Sequence, residues 1–359
     1  MKKLKVFLLL SFLFVISAGP LMAQRYKSEN LFYLTSSLDG FQSFKEHASE
    51  ISIVVPAVYN VDGYGVIAGS LDHRIMDIAK KNGVKVMPLI GTMNQKNIHN
   101  LLSDSASRAR MINMMLYLAK ENNYYGWQLD LENIHLTDRD NYTSFFKQAA
   151  DSLHKYGFKI SMAVVKFDRP TPEPGHSVSY TRYVYENWRG AFDIKALAKA
   201  SDFLSLMTYD ENTAQTPPGP VAGIPWMEKI VKYFLSEGIP AQKISFGIPS
   251  YSDYWYPTYS EKSGGHATRS EISYRKAEDL INRFNAPVHW MSKQGVDYTY
   301  WYDNGVFNWL FLENTKSFET KLALLPKYHF RGISVWVLGT EDPGIWKVLK
   351  RKTEPVKYH

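Results

Sequence analysis

No cysteine occurs among the 359 residues. Disulfides, thiolate metal sites, a cysteine nucleophile and a lipid anchor on cysteine are therefore excluded. Their absence does not argue against export, because a chain of this length can bury a core that needs no covalent staples. Other signatures are missing as well. There is no HExxH zinc spacing and no GxSxG elbow for a Ser–His–Asp hydrolase. No glycine-rich phosphate loop follows an early strand, and no stretch resembles a nucleic-acid module, so neither partner is expected. Excess charge of one sign is small. The formal +7 becomes +4 once the three lysines of the first 23 residues are removed. One dense basic run, KVLKRK at Lys347–Lys352, reads as a solvated helix end.

Long apolar runs are scarce too. The single candidate is VFLLLSFLFVISA near the start, behind Lys2, Lys3 and Lys5. It is short for a bilayer span. Gly19 and Pro20 break it, and Leu21-Met22-Ala23 offers a cleavage site. The first 23 residues are expected to be a secretory signal peptide, with 24–359 exported to the periplasm or the exterior as a soluble chain without a stable membrane span. A monomer is expected.

Aromatic residues are plentiful, with 24 Tyr and 9 Trp. They could fill a large core or supply stacking platforms for sugar rings. Eight short apolar runs are expected as strands, at Leu31–Thr35, Ile51–Tyr59, Val84–Ile90, Gly126–Leu131, Lys159–Val164, Phe203–Thr208, Ile244–Ile248 and Gly332–Val337. Amphipathic stretches lie between most of them, such as His73–Asn82, Ala106–Asn122, Arg139–Tyr156, Pro225–Glu237 and Asn314–Tyr328. The runs are nearly continuous, as in strands covered on both faces. This alternation predicts an α/β fold, a (β/α)8 barrel. An open doubly wound sheet is the alternative, but it would call for the missing phosphate loop. Residues from about 251 to 311 are too long for a simple crossover and read as a small α+β lobe inserted between strands 7 and 8. The lobe is expected to line one wall of the cleft.

The candidate chemistry sits in GWQLDLE, Gly126–Glu132. Side chains alternate along a strand, so Gln128, Asp130 and Glu132 share one face, and Trp127, Leu129 and Leu131 the other. Barrel interiors usually hold Val, Ile and Leu. Two neighbouring carboxyls resist joint ionisation, and one then keeps a proton as a general acid would. A solvated strand end would also accommodate them, and spacing alone leaves both readings open.

Further segments fall on separate predicted strands. Asp130-Leu131-Glu132 behind Gly126, Met207-Thr208-Tyr209-Asp210, Gly247-Ile248-Pro249-Ser250-Tyr251 and Trp336 occur in that order. Together they resemble the strand motifs of family 18 glycoside hydrolases, over roughly residues 31–351. GVKVMPL, GWQLDLENI and GISVWVLGTEDPGIW resemble the branch that contains spore-cortex peptidoglycan hydrolases. The resemblance implies a glycosidase acting on N-acetylhexosamine-containing glycans by substrate assistance, without metal or organic cofactor. Glu132 would be the general acid and base, Asp130 would orient the 2-acetamido group, and Tyr209 would hydrogen-bond it. Asp210, Trp336, Gln128 and Met207 would bind substrate, with Trp336 as the floor under the reacting sugar. The family's usual motif has acids where this chain has Tyr125 and Gln128. That substitution also raises the alternative of a glycan-binding relative without turnover.

Overall fold

The computed structural model describes residues 25–168, 178–257, 267–303 and 305–358. The proposed signal peptide lies outside the described residues. Eight strands form the centre: β1 (Tyr26–Leu34), β2 (Ile53–Val61), β3 (Leu89–Thr92), β4 (Gly126–Leu131), β5 (Lys159–Val164), β6 (Phe203–Leu206), β7 (Ile244–Pro249) and β8 (Gly332–Trp336). Each pairs in parallel with the next, and β8 pairs back onto β1, so the ring is closed. Helices such as Ser105–Asn122, Arg139–His154 and Ile224–Ser236 surround it. This is the expected (β/α)8 barrel.

Two apolar layers follow from the alternation of strand side chains. Outward residues such as Trp127, Leu129 and Leu131 join a large core shared with the helices. The Trp127 indole also donates to the Met115 carbonyl of the neighbouring helix at 2.9 Å. Inward residues form a smaller core of Leu31, Tyr33, Ile53, Val55, Met87, Leu89 and Phe203.

Some boundaries differ from expectation, for local reasons. The third strand is interrupted: Lys85–Val86 pairs with β2, and β3 proper begins at Leu89. Pro88 between them has no N–H to give to a ladder. β6 ends at Leu206, where the Thr208 amide turns back to the Leu206 carbonyl. The stretch 314–328 is two helices, Thr315–Leu322 and Leu324–Tyr328, rather than one.

Between β7 and β8 a second, five-stranded antiparallel sheet is built from Ser252–Pro257, Ala267–Ile272, His289–Met291, Val296–Asp303 and Val306–Leu312. The helix Tyr274–Phe284 covers one of its faces, with Phe284 stacked on Trp301 at 5.1 Å. The sheet meets the barrel at the C-terminal ends of the strands. The Trp255 indole donates to the Gly219 carbonyl in the loop after β6 at 3.1 Å. Below the sheet, Lys321 and Glu313 form a fully buried ion pair at 2.6 Å, with Ser317 as a further donor to the carboxylate.

At the opposite, N-terminal end, Arg331 forks onto Glu29 with bonds of 2.6 and 2.7 Å, and Tyr358 also donates to Glu29. Tyr125 belongs to this end. Its ring lies 5.3 Å from that of Tyr358, and Glu29 and Arg331 are its charged neighbours.

Candidate active site

β4 runs into the C-terminal mouth of the barrel. It can approach β5 closely because Gly126 has no side chain: a Cβ there would fall 2.0 Å from the Lys159 carbonyl oxygen. From this start, Gln128, Asp130 and Glu132 point inward in successive layers. Gln128 is completely buried and donates to Ser161 Oγ at 3.1 Å. It does not face the cleft. The expectation that it contacts sugar is corrected on that ground: its place is one layer beneath Asp130, as a support. Its Oε1 and the Asp130 Oδ1 are buried without a protein hydrogen bond.

Asp130 and Glu132 are both half-buried. Burial pushes the Asp130 carboxyl up, to about 6. Burial and the Asp130 charge push Glu132 further, to about 8, against the opposing pull of Lys166. Two carboxyls this close share the cost of ionising, and Glu132 is the one that keeps its proton at neutral pH. The pair thus offers one protonated acid and one anion.

β6 contributes the second group. Tyr209 is 6% exposed, packs with Val221 and Tyr251, and is flanked by Met207 and Trp336. Burial raises its hydroxyl well above the ordinary phenol value, and Tyr33, Asp130, Asp210 and Glu132 are its electrostatic neighbours. The hydroxyl therefore keeps its proton and can donate a hydrogen bond. Asp210 adopts a left-handed backbone conformation, φ 59°, which Asp tolerates better than most residues. Its Oδ1 accepts from Tyr251 Oη at 2.7 Å and from Arg269 at 2.5 Å. Burial pushes this carboxyl up, but Lys166 and Arg269 overcome that effect and hold it below the usual carboxylate range. Trp336, half-buried at the end of β8, lies 5.1 Å from the Tyr33 ring. The Trp336–Val337 peptide is cis. Gly247 on β7 is needed for packing, since a Cβ would meet the Leu206 carbonyl oxygen at 2.1 Å.

The residues expected from the sequence therefore gather at one mouth, Gln128 beneath it, while Tyr125 stands at the far end of the barrel. Four further residues escape sequence reasoning. Tyr33 on β1 is buried with its hydroxyl 2.8 Å from Ser205. Its place in the inward row of a strand is a signal that alternation could have given. Lys166, just past β5, was readable only as a polar strand end. Asp253 and Arg269 come from the inserted sheet, which Tyr251, the last residue of the motif on β7, immediately precedes. Arg269 binds Asp253 at 2.8 Å as well as Asp210, across 59 residues of sequence that no local pattern spans.

A proton-holding carboxyl beside an anionic one, at the open end of a (β/α)8 barrel, is equipment for cleaving glycosidic bonds. The class is that of a glycosidase. The family model for Glycosyl hydrolases family 18 matches residues 29–341, and the chain belongs to that family. It is 26% identical to the uncharacterized glycosylase YvbX of Bacillus subtilis, over 90% of each chain. It is 27% identical to the cortical fragment-lytic enzyme of Bacillus subtilis, over 72% of this chain and 56% of that protein. In fold it resembles the spore cortex-lytic enzyme SleL of Bacillus megaterium, with TM-score 0.82 and 21% identity, over 94% of this chain and 76% of that one. The expected likeness to the spore-cortex branch thus recurs in sequence and in fold.

Proposed function

We propose that the protein is an exported, retaining glycosidase that cleaves β-linked N-acetylglucosamine-containing glycans by substrate-assisted catalysis. The observation that carries this reading is the unequal carboxyl pair at the end of β4, with Glu132 held protonated and Asp130 the first to ionise. Glu132 protonates the leaving glycosidic oxygen. The 2-acetamido oxygen of the same sugar attacks the anomeric carbon as that bond breaks, forming an oxazolinium ion. Asp130 accepts the acetamide N–H and balances the positive charge. Tyr209 hydrogen-bonds the same acetamide. Water then enters, Glu132 takes its proton, and the sugar leaves with its configuration retained. Asp210, Met207 and Trp336 bind the sugar from the β6 and β8 side.

Peptidoglycan, chitin-like oligomers and N-glycan cores all carry the required acetamido sugar. The names of the cortical fragment-lytic relatives favour the first. Product analysis on N-acetylglucosamine oligomers and on muropeptide glycan strands tests the reading. Turnover is expected on at least one, and Glu132→Gln should lower kcat by more than about 10²-fold, the lower end for losing a general acid. Retained activity in that variant means another acid does the work. A second reading, glycan binding without turnover, is favoured by Gln128 standing where the family usually has an acid. It predicts binding of these oligomers with no product from either.

A further inference from the structure

Asn133 directly follows the candidate acid and has a left-handed backbone, φ 60°. That conformation is disfavoured for L-residues, and Asn tolerates it better than most. The ladder of β4 ends here. The Glu132 amide donates to the Thr92 carbonyl at 3.1 Å, and Ile134, completely buried, anchors the chain beyond the turn. Three side-chain amides then lock the turn. Asn133 Nδ2 donates to the Met93 carbonyl at 3.2 Å. Gln95 Nε2 donates to Asn187 Oδ1 at 2.9 Å, and its second hydrogen is shared by the Asn133 carbonyl and Oδ1 at 3.3 and 3.4 Å. Asn187 Nδ2 donates to the Tyr183 carbonyl at 2.9 Å. Each amide faces a backbone carbonyl, which can only accept, so the orientation of all three is fixed. The chain of amides crosses three elements. Gln95 opens the helix Gln95–Ser103, Asn133 follows β4, and Asn187 lies in a π-helical turn, Tyr185–Arg189, a rare form that recurs at functional sites. The helix Gln95–Ser103 is tied to the same loop again one turn on, where His99 Nδ1 meets both oxygens of the buried Asp138 at 3.0 Å. A disfavoured backbone conformation persists only where its surroundings over-determine it, and such places gather at functional sites.

Resting on the glycosidase reading above, we infer that Asn133 is a positioning residue: its left-handed turn, clamped by Gln95, sets the direction in which the Glu132 carboxyl enters the cleft. With the Glu132 amide on Thr92 and the next residue fixed, the Glu132 Cα has little freedom to tilt. A misplacement of about 1 Å at a reacting group can cost about 10²-fold in rate. The turn therefore acts on turnover and not on affinity for the sugar.

The test compares the full mature chain with Asn133→Ala, Asn133→Gly and Gln95→Leu on N-acetylglucosamine oligomers and muropeptide glycan strands. Thermal melts establish that each variant is folded. Alanine and glycine both remove the amide, but only glycine adopts the left-handed turn freely. Asn133→Ala is expected to lose about 5–30-fold in kcat, the factor that matches the cost of a left-handed residue with a Cβ. Asn133→Gly should keep kcat within about 3-fold, since the turn itself stays open to it. Gln95→Leu should lose roughly 3–10-fold, the amount expected for one neutral hydrogen bond. KM should stay within about 2-fold throughout, because a group acting only on the transition state leaves it unchanged. Equal kcat in Asn133→Ala and Asn133→Gly, whether both fall or both hold, would overturn the inference, because the backbone conformation would then not matter. A loss carried by KM would overturn it as well, since Asn133 would then touch the sugar. A second readout needs no substrate. The titration of the Glu132 carboxyl is followed by carboxyl-carbon NMR and assigned through Glu132→Gln. Its midpoint should move toward the ordinary 4.5 in Asn133→Ala and Gln95→Leu, where the carboxyl leaves its buried place, and stay put in Asn133→Gly. If the wild type turns nothing over, the glycosidase reading is what fails. The titration then still decides for Asn133, and one midpoint common to the wild type and all three variants overturns the inference.

Discussion

On the proposed mechanism, Glu132 holds a proton in a place where carboxyls ordinarily lose theirs. Its ordinary value of 4.5 is raised to about 8 by burial and by Asp130, while Asp130 rises to about 6. These values belong to the pair, and a pH–rate profile reads them as macroscopic limbs. We expect kcat/KM on a chromogenic N-acetylglucosaminide to peak between the two limbs. It should fall below about 6 as Asp130 takes a proton, and fall above about 8 as Glu132 loses one. Activity still climbing past pH 9 would contradict the assignment. The same shift bears on stability. The folded state holds a proton that the unfolded chain releases, so between 4.5 and about 8 stability declines as pH rises. Glu132→Gln removes that decline. Discounted for partial exposure, the gain is on the order of 1 kcal/mol, or roughly 2 °C in Tm. The variant should therefore melt above the wild type at pH 8 and level with it below pH 4.5. Differential scanning calorimetry at the two pH values checks this.

The elements explain why the site was half legible. β4 could be read because its acids alternate with Trp127, Leu129 and Leu131, and a two-residue period is visible in one short segment. MTYD and Trp336 could be read because each lies at the end of a continuous apolar run. The split at Pro88 could have been read from its missing donor. Arg269 could not, because its partners Asp210 and Asp253 come from other elements, and only the folded insertion brings them together. The burial of Gln128 depends likewise on Ser161 of β5. The anchoring of the insertion was equally hidden. Glu313 ends the insertion, and Lys321 lies two turns along the helix Thr315–Leu322, both with almost no exposure. Removing one member of such a pair leaves a buried charge, at a cost of about 3–5 kcal/mol, whereas replacing both with apolar residues is often neutral. Lys321→Met should therefore destabilise by about that amount. The double variant Lys321→Met/Glu313→Leu should recover most of it, measured by urea unfolding with an unchanged m-value. A double variant as unstable as the single one would show that the pair contributes specific geometry beyond charge balance.

At the scale of the whole molecule, the proposed chemistry and the closure of the ring occupy opposite ends of one barrel. The carboxyls, Tyr209 and Asp210 stand at the C-terminal mouth. Glu29, Arg331, Tyr125 and Tyr358 stand at the N-terminal end, where β8 meets β1 and completes the ring. Glu29 is 3% exposed, and Arg331 gives it both of its forked bonds. The Arg331 guanidinium also lies over the Phe203 ring at 5.0 Å, so it covers the floor of the inner core. Among the described residues, Arg331→Leu would leave the Glu29 carboxylate with the Tyr358 hydroxyl as its side-chain partner. The expected loss is about 3 kcal/mol, the lower part of the range for a broken buried pair, because Arg331 keeps some contact with water. That loss belongs to stability, because the N-terminal end of a barrel bears on closure and not on chemistry. We therefore expect Arg331→Leu to lower Tm by several degrees while kcat, measured well below the new Tm, stays within about 2-fold of the wild type. Glu132→Gln should do the reverse. The two changes sit at opposite ends with no shared partner, so their effects on stability should add in the double variant. A drop in kcat for Arg331→Leu at unchanged Tm would mean that the two ends communicate through the barrel, and would require a coupling path that the packed inner layer of Leu31, Ile53, Leu89 and Phe203 does not suggest.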